Sequence, residues 1–364
     1  MRRKSLALAA VVGMLLAACG TAGEEATTTT SADVTTTTVA ETTTSSVAET
    51  TTTTTFETVT VKVVTLPFIT FAPYYIGLEE GYYEKYGIDI ELVEFTVQEE
   101  ILPALSSGQV DVSSGLVSAG MFNAMARGSE IKIVADKGYV DPDGCVNWTV
   151  LGRDDLVESG ELDTADQLEG LTVNIVPATW LEYYLSEVLA EGDLTLDDID
   201  KVNISSPAVP EALDTDQIDA AVNAEPWVTR LNAAGHVPVL PLPQELTPGQ
   251  SGAVQLFGPT LLGDNRDVGV RFMAGYLESV AQYAEGPTER NLEIIAEFSQ
   301  LPEDLLSTMC WPAINPSGDV DENGIMRFQE FAVDRQYLDT IVEADVFMDS
   351  SFLEEAREMM GAGG

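Results

Sequence analysis

The chain has 364 residues, of which 17 are basic and 60 acidic, giving a formal net charge of −43. An apolar share of 45% is enough for real cores, and the length accommodates two lobes after the N-terminal segments. The acidity excludes nucleic acid, whose phosphates demand basic patches, and reads as a solvated acidic surface.

Residues 1–19 read as an export signal. Arg2, Arg3 and Lys4 form its positive start, and the apolar run 6–18 is shorter than the roughly 20 residues that span a bilayer. Leu16-Ala17-Ala18-Cys19 followed by Gly20 matches a lipoprotein cleavage box, in which the Cys19 sulfur takes the lipid. Residues 20–60 are dominated by Thr. Such composition cannot bury a core, so the segment reads as a disordered tether after a lipid anchor.

The globular pattern begins at Val61. Val61–Leu66 is a β-branched run that fits a buried strand. Pro67–Ala72 forms a loop at its end, and Pro73 suits the first turn of a helix. Tyr75, Leu78, Tyr82 and Tyr83 fall on one helical face, Gly87 ends it, and Ile88–Phe95 reads as a second strand. A weak internal repeat follows. Strand Val61–Leu66 before Pro67 resembles Leu171–Val176 before Pro177. Ala104–Asp111 resembles Ala212–Asp219, and Met125–Gly128 before a strand resembles Asn232–Gly235 before Val237–Leu240. Three matches in the same order predict two α/β lobes of like construction. The expected division is 61–147 for the first part of lobe I, 148–243 for lobe II, and 244–364 for a return to lobe I. Thr179-Trp180-Leu181-Glu182 has the form of a capping box, and either Ser206-Pro207 or Val209-Pro210 opens the next helix. Helices are expected at 267–283, 288–299, 303–309, 322–337 and 352–360, packing back on the first lobe.

Catalytic motifs are missing. There is no phosphate-binding glycine loop and no nucleophile elbow. His236 is the one histidine, and in a Gly-His-Val-Pro turn it reads as a surface residue. No enzyme activity, cofactor or metal is expected. Cys145 and Cys310 either pair as a disulfide or stay as two buried thiols; their spacing does not decide. The run from Asp319 to Glu330 satisfies the calcium-loop pattern, but Pro312, Pro316 and Gly318 break any entering helix. It reads as a polar turn that caps the helix from Glu322.

In open α/β sheets ligands bind at loops beyond the carboxyl ends of strands. Those loops carry Phe68, Thr70, Tyr74, Ser113 and Ser114 in the first lobe. The second offers Thr179, Trp180, Asn223, Glu225 and Trp227. These ten are the candidate ligand-binding residues. Glu225 has two roles open to it, accepting hydrogen bonds from a ligand edge or capping the Pro226-Trp227 turn.

The stretch Ala72–Ile90 resembles the opening of ABC-transporter substrate-binding proteins of the nitrate, sulfonate or taurine, and thiamine-pyrimidine-precursor type. Ala104–Asp111, Ala126-Arg127-Gly128, Asp166–Gly170, the Glu225-Pro226 pair and 301–355 fit the same family. Asp216 replaces the glycine expected in the second turn, and Leu171 stands where a basic residue is common. The resemblance implies a type II periplasmic-binding-protein fold, two α/β lobes closing over a small molecule. It further implies delivery to an ABC permease and its ATPase from outside the cytoplasm, by a monomer anchored through Cys19. The candidate loops hold no Arg or Lys, which suits a flat heteroaromatic such as a thiamine-pyrimidine precursor. Riboflavin, a sulfonate or nitrate stay open, as do a pyrimidine-synthesising enzyme and an extracytoplasmic sensor.

Overall fold

The computed structural model describes residues 56–362 except 67, 96–99, 235, 237–239, 241 and 300. The signal segment with Cys19, the tether up to residue 55, Pro67 and most of the second-copy strand 237–240 therefore lie outside the described residues. No helix among the described residues is long and apolar enough to cross a membrane.

Two sheets form the frame. Lobe I contains β1 (Val59–Thr65), β2 (Ile88–Glu94), β3 (Val112–Leu116) and β4 (Lys132–Tyr139). Lobe II contains β5 (Trp148–Gly152), β6 (Thr172–Asn174), β7 (Asp200–Val202) and β8 (Ala220–Ala224). The chain then returns to lobe I as β9 (Ser251–Phe257). The strand orders are β2-β1-β3-β9-β4 and β5-β8-β6-β7. β1 runs parallel to β2 and β3, while β9 is antiparallel to both β3 and β4. In lobe II, β6 is parallel to β7 and β8, and β5 is antiparallel to β8. This is the mixed two-lobed α/β arrangement that the sequence predicts.

The repeat has a physical basis. Asp111 Oδ2 accepts the Lys62 N–H at 2.9 Å, and the Asp111 N–H donates to the Lys62 carbonyl at 2.9 Å. Asp219 treats Thr172 in the same way, with both distances 2.8 Å. Each Gln-x-Asp turn thus clamps the start of one strand to its parallel neighbour. The preceding turn needs a left-handed residue in both lobes. Gly108 has φ +72° and Asp216 has φ +54°, so the replaced glycine keeps the conformation at some strain.

The folded body starts earlier than residue 61. Val59 and Thr60 pair with Ile88 and Asp89. Phe56 packs on the lobe I core, with the Arg271 guanidinium 5.2 Å from its ring. Composition cannot flag residues that a neighbouring strand recruits. Helix Arg266–Tyr283 packs on helix Ala72–Glu79 and helix Ser351–Ala362. A Cβ on Gly275 would lie 2.6 Å from the Tyr83 ring, so this close approach needs glycine.

The C-terminal section does not return to lobe I alone. Helix Glu322–Asp334 packs on helix Trp180–Glu191 of lobe II, with Tyr183 ring centroids 6.4 Å from Phe328 and 5.5 Å from Phe331. Arg335 pairs with Asp197 at 2.9 Å, and the Tyr337 hydroxyl donates to Glu182 at 3.1 Å. Phe328 also lies 6.1 Å from Phe122 of lobe I, so the apolar face that the sequence assigned to one lobe is buried between both. Cys145, in the crossover between β4 and β5, forms a disulfide with Cys310.

Candidate ligand-binding site

The C-terminal ends of β3 and β8 point toward one space between the lobes. The sides are joined by backbone: the Ala119 N–H donates to the Ala178 carbonyl at 2.9 Å, and the Trp180 N–H donates to the Val117 carbonyl at 2.8 Å. The cavity, open on one side, measures about 520 Å³. Its walls are mostly apolar, with Leu66, Phe68, Phe71, Leu102, Met121 and Leu256 from lobe I and Trp148, Val176 and Leu181 from lobe II. Ser113, Ser114, Ser118, Lys137, Thr179, Ser206, Asn223 and Glu225 supply the polar groups. A ring-lined slot with few polar groups is the usual build of a small-molecule site.

Seven of the ten candidate residues line this cavity: Phe68, Thr70, Ser113, Ser114, Thr179, Asn223 and Glu225. Three do not. Tyr74 is wholly buried one layer behind, its hydroxyl donating to Gln255 at 2.8 Å and its ring 5.9 Å from Tyr276. Burial raises its phenol, slightly offset by the Ser114 hydroxyl. Trp180 is also wholly buried, stacked on Tyr184 and 4.9 Å from Trp148. Trp227 packs on the outer core of lobe II beside Arg230. The tryptophan that faces the cavity is Trp148, at the start of β5. Sequence spacing marks strand ends, but it does not tell which of two neighbouring rings a helix turns inward.

Thr179 starts its helix without the expected capping-box bond. Its hydroxyl donates to the Val176 carbonyl at 2.7 Å, while Glu182 reaches back to the Ala178 N–H at 2.7 Å. Glu225 is 2% exposed and fully engaged by protein. Oε1 accepts the Thr229 hydroxyl at 2.7 Å and the Cys310 N–H at 3.2 Å; Oε2 accepts the Thr229 N–H at 3.0 Å. Burial raises its carboxyl above the usual range, offset by those three donors. Its carboxylate holds the turn into helix Trp227–Ala234 and ties lobe II to the disulfide segment.

β4 carries what the loop-based reading missed. Asp136 and Lys137 are consecutive and both buried, at 0% and 1% exposure. The pairing of β4 with β9 shifts register between Asp136 and Gly138, and such irregularities re-aim side chains. Asp136 accepts from the Ser251 hydroxyl at 2.7 Å and the Asn315 N–H at 2.9 Å, yet burial pushes its carboxyl up to about 7. Lys137 faces the cavity, and burial drives its ammonium well below the ordinary lysine range. The absence of Lys and Arg holds for the loops; the cavity itself has a lysine. A charged pair directly after the apolar run Ile133–Ala135 was the available signal.

His236 is not a surface residue. It is 2% exposed, with Nδ1 2.6 Å from Asp154 Oδ1 and Nε2 3.5 Å from Asp214 Oδ1. Burial between two acidic helices of lobe II explains it, and it does not line the cavity. Asp321 caps helix Glu322–Asp334 by accepting the Gly324 N–H at 3.0 Å, and Asp319 pairs with Arg357 at 2.5 Å. The later part of the calcium-loop pattern, Gly324 and Glu330 included, is therefore helix rather than loop.

A model of the NMT1-like family matches residues 54–240. No curated protein sequence matches the chain. Among solved structures, the ligand-binding component of an ABC-type import system from Staphylococcus aureus aligns at TM-score 0.66 and 18% identity, over 82% of this chain and 98% of that one. The nitrate-binding protein NrtA from Synechocystis PCC 6803 aligns at TM-score 0.66 and 14% identity, over 84% and 89%. The aliphatic sulphonate binding protein SsuA from Escherichia coli aligns at TM-score 0.61 and 17% identity, over 81% and 92%. The desulfurization enzyme DszB has the same fold at TM-score 0.58 and 14% identity, over 83% and 99%. Fold alone therefore does not separate capture from catalysis.

Proposed function

This chain belongs to the NMT1-like family, and from that premise we propose that it is the extracytoplasmic substrate-binding component of an ABC importer. The observation that carries the reading is the cavity itself, built from strand ends of both lobes and walled by Phe68, Phe71 and Trp148. Rings on its walls suit a flat ligand held by stacking, which adds about 0.5–1.5 kcal/mol beyond burial. A thiamine-pyrimidine precursor is the first candidate; sulfonates, nitrate and flavins follow. The ligand is passed to a permease and its ATPase, and Cys19 is the lipid attachment point that keeps a monomeric chain at the outer face of the membrane.

Catalysis is the second reading, because DszB shares the fold. It has less support here: His236 is held by acidic residues of lobe II outside the cavity wall. A thermal-shift screen of the mature chain against pyrimidines, flavins, sulfonates and nitrate tests the proposal. A saturable rise in Tm with one class, with the compound recovered unchanged, is expected. Turnover of the bound compound would overturn the binding-protein reading.

A further inference from the structure

Lys137 lies in the cavity wall with no partner for its charge. Its Nζ has no hydrogen bond, and among the described residues no carboxylate stands within ion-pair distance of it. Its near neighbours are rings, Phe71 with its centroid at 3.7 Å and Tyr74 at 5.1 Å. Ring faces replace only part of the water that a buried ammonium gives up. The adjacent Asp136 spends both oxygens on Ser251 and Asn315. From lobe II, Asn223 lines the same cavity at 2% exposure. Its Oδ1 accepts the Ala224 N–H at 2.9 Å, which leaves Nδ2 unpartnered. The one carboxylate in the wall, Glu225, is already occupied by three donors. Ser114 Oγ, also unpartnered in the wall, can donate or accept; Lys137 as an ammonium and Asn223 Nδ2 can only donate, they do so from opposite lobes, and their shared complement is an acceptor-only group.

We propose that the ligand carries an acidic group, a carboxylate or sulfonate on a ring-bearing body, and that Lys137 pairs with that group while Asn223 donates from the opposite lobe. The proposal rests on the cavity being the ligand site and, within that reading, ranks acidic ligands above the neutral pyrimidine. The ionisable groups around Lys137 are Asp136 on its own strand, Tyr74 beneath it, Tyr276, which donates to the Asp136 carbonyl at 2.8 Å, and Glu225 across the cavity. None of them supplies a free anion to Lys137. Because burial favours the neutral amine in the empty cavity, an incoming anion draws a proton from solvent, and its affinity falls as pH rises.

Calorimetry on the mature chain with matched probe pairs tests this: 2-naphthoate against 2-naphthamide, and naphthalene-2-sulfonate against its sulfonamide, in two buffers of different ionisation enthalpy at mildly alkaline pH. The acid of a pair should bind about tenfold tighter than its neutral partner, with net proton uptake. Lys137→Met should lose that preference and keep the neutral affinity. Lys137→Arg should keep the preference and lose the proton uptake, because a guanidinium is always charged. If neither variant folds, the wild-type preference for the acid of each probe pair still decides. A neutral probe bound as tightly as its acid, or a Lys137→Met chain that keeps the preference, overturns the role of Lys137 and leaves the cavity reading standing. No binding by any probe overturns both.

Discussion

Glu225→Gln separates the two roles open to the one carboxylate in the cavity wall. The structure assigns its oxygens to Thr229 and Cys310 through contacts at 2.7, 3.0 and 3.2 Å. Glutamine keeps a single acceptor oxygen. Whichever way its amide is turned, an NH₂ then faces an N–H donor and at least one bond is lost. Hydrogen bonds to a charged partner contribute about 1.5–3 kcal/mol each, and a buried donor left unmatched costs about 1–3 kcal/mol. Removing a buried charge offsets part of this. A net loss of about 2 kcal/mol is expected, which lowers Tm by roughly 3 °C for a folded body of this size. The assay is a calorimetric melt of wild type and variant, followed by titration with whichever compound the ligand screen returns. Lower Tm with affinity changed less than about threefold supports the turn-holding role. An unchanged Tm with binding abolished would refute this reasoning and make Glu225 a ligand contact.

Two further perturbations follow from the same geometry. Asp136 holds a proton in the folded chain up to about pH 7, whereas the unfolded chain releases it near pH 4; its stabilising protonation is complete below about pH 4 and lost as pH rises through 7. Urea unfolding of wild type and Asp136→Asn from pH 5 to 8 should show the wild type losing up to about 1.4 kcal/mol per pH unit relative to the variant below pH 7, and parallel curves would discount the buried carboxyl. Asp216 holds φ +54° in an exposed turn, so Asp216→Val should cost about 1–3 kcal/mol in the same assay while Asp216→Gly should be neutral or better; equal losses would point to the Arg153 contact at 3.4 Å instead.

The sequence by itself determined the local grammar of this protein. Hydrophobic period placed three of the strands and the five C-terminal helices within about three residues, because side-chain direction repeats every 2 or 3.6 positions whatever the partner. The repeated Gln-x-Asp turns announced two like lobes because each aspartate performs the same backbone clamp, Asp111 on Lys62 and Asp219 on Thr172. Strand-end loops therefore pointed to a cavity, and seven of the ten chosen residues line it. Tertiary structure decided the rest. Trp148 rather than Trp180 faces the cavity because two rings 4.9 Å apart compete for one surface, and only packing ranks them. The cysteines pair across 165 positions, which spacing cannot foresee. Helix Glu322–Asp334 bridges both lobes, Phe328 meeting Phe122 and Tyr183, because an apolar face carries no address, only an area to bury. Lys137 reached the cavity through an irregular pairing in β4 with β9, a strand that returns more than a hundred residues later. A charge next to an apolar run is visible in the sequence, but whether it meets water, an aspartate or an empty cavity is fixed by what the distant chain brings against it.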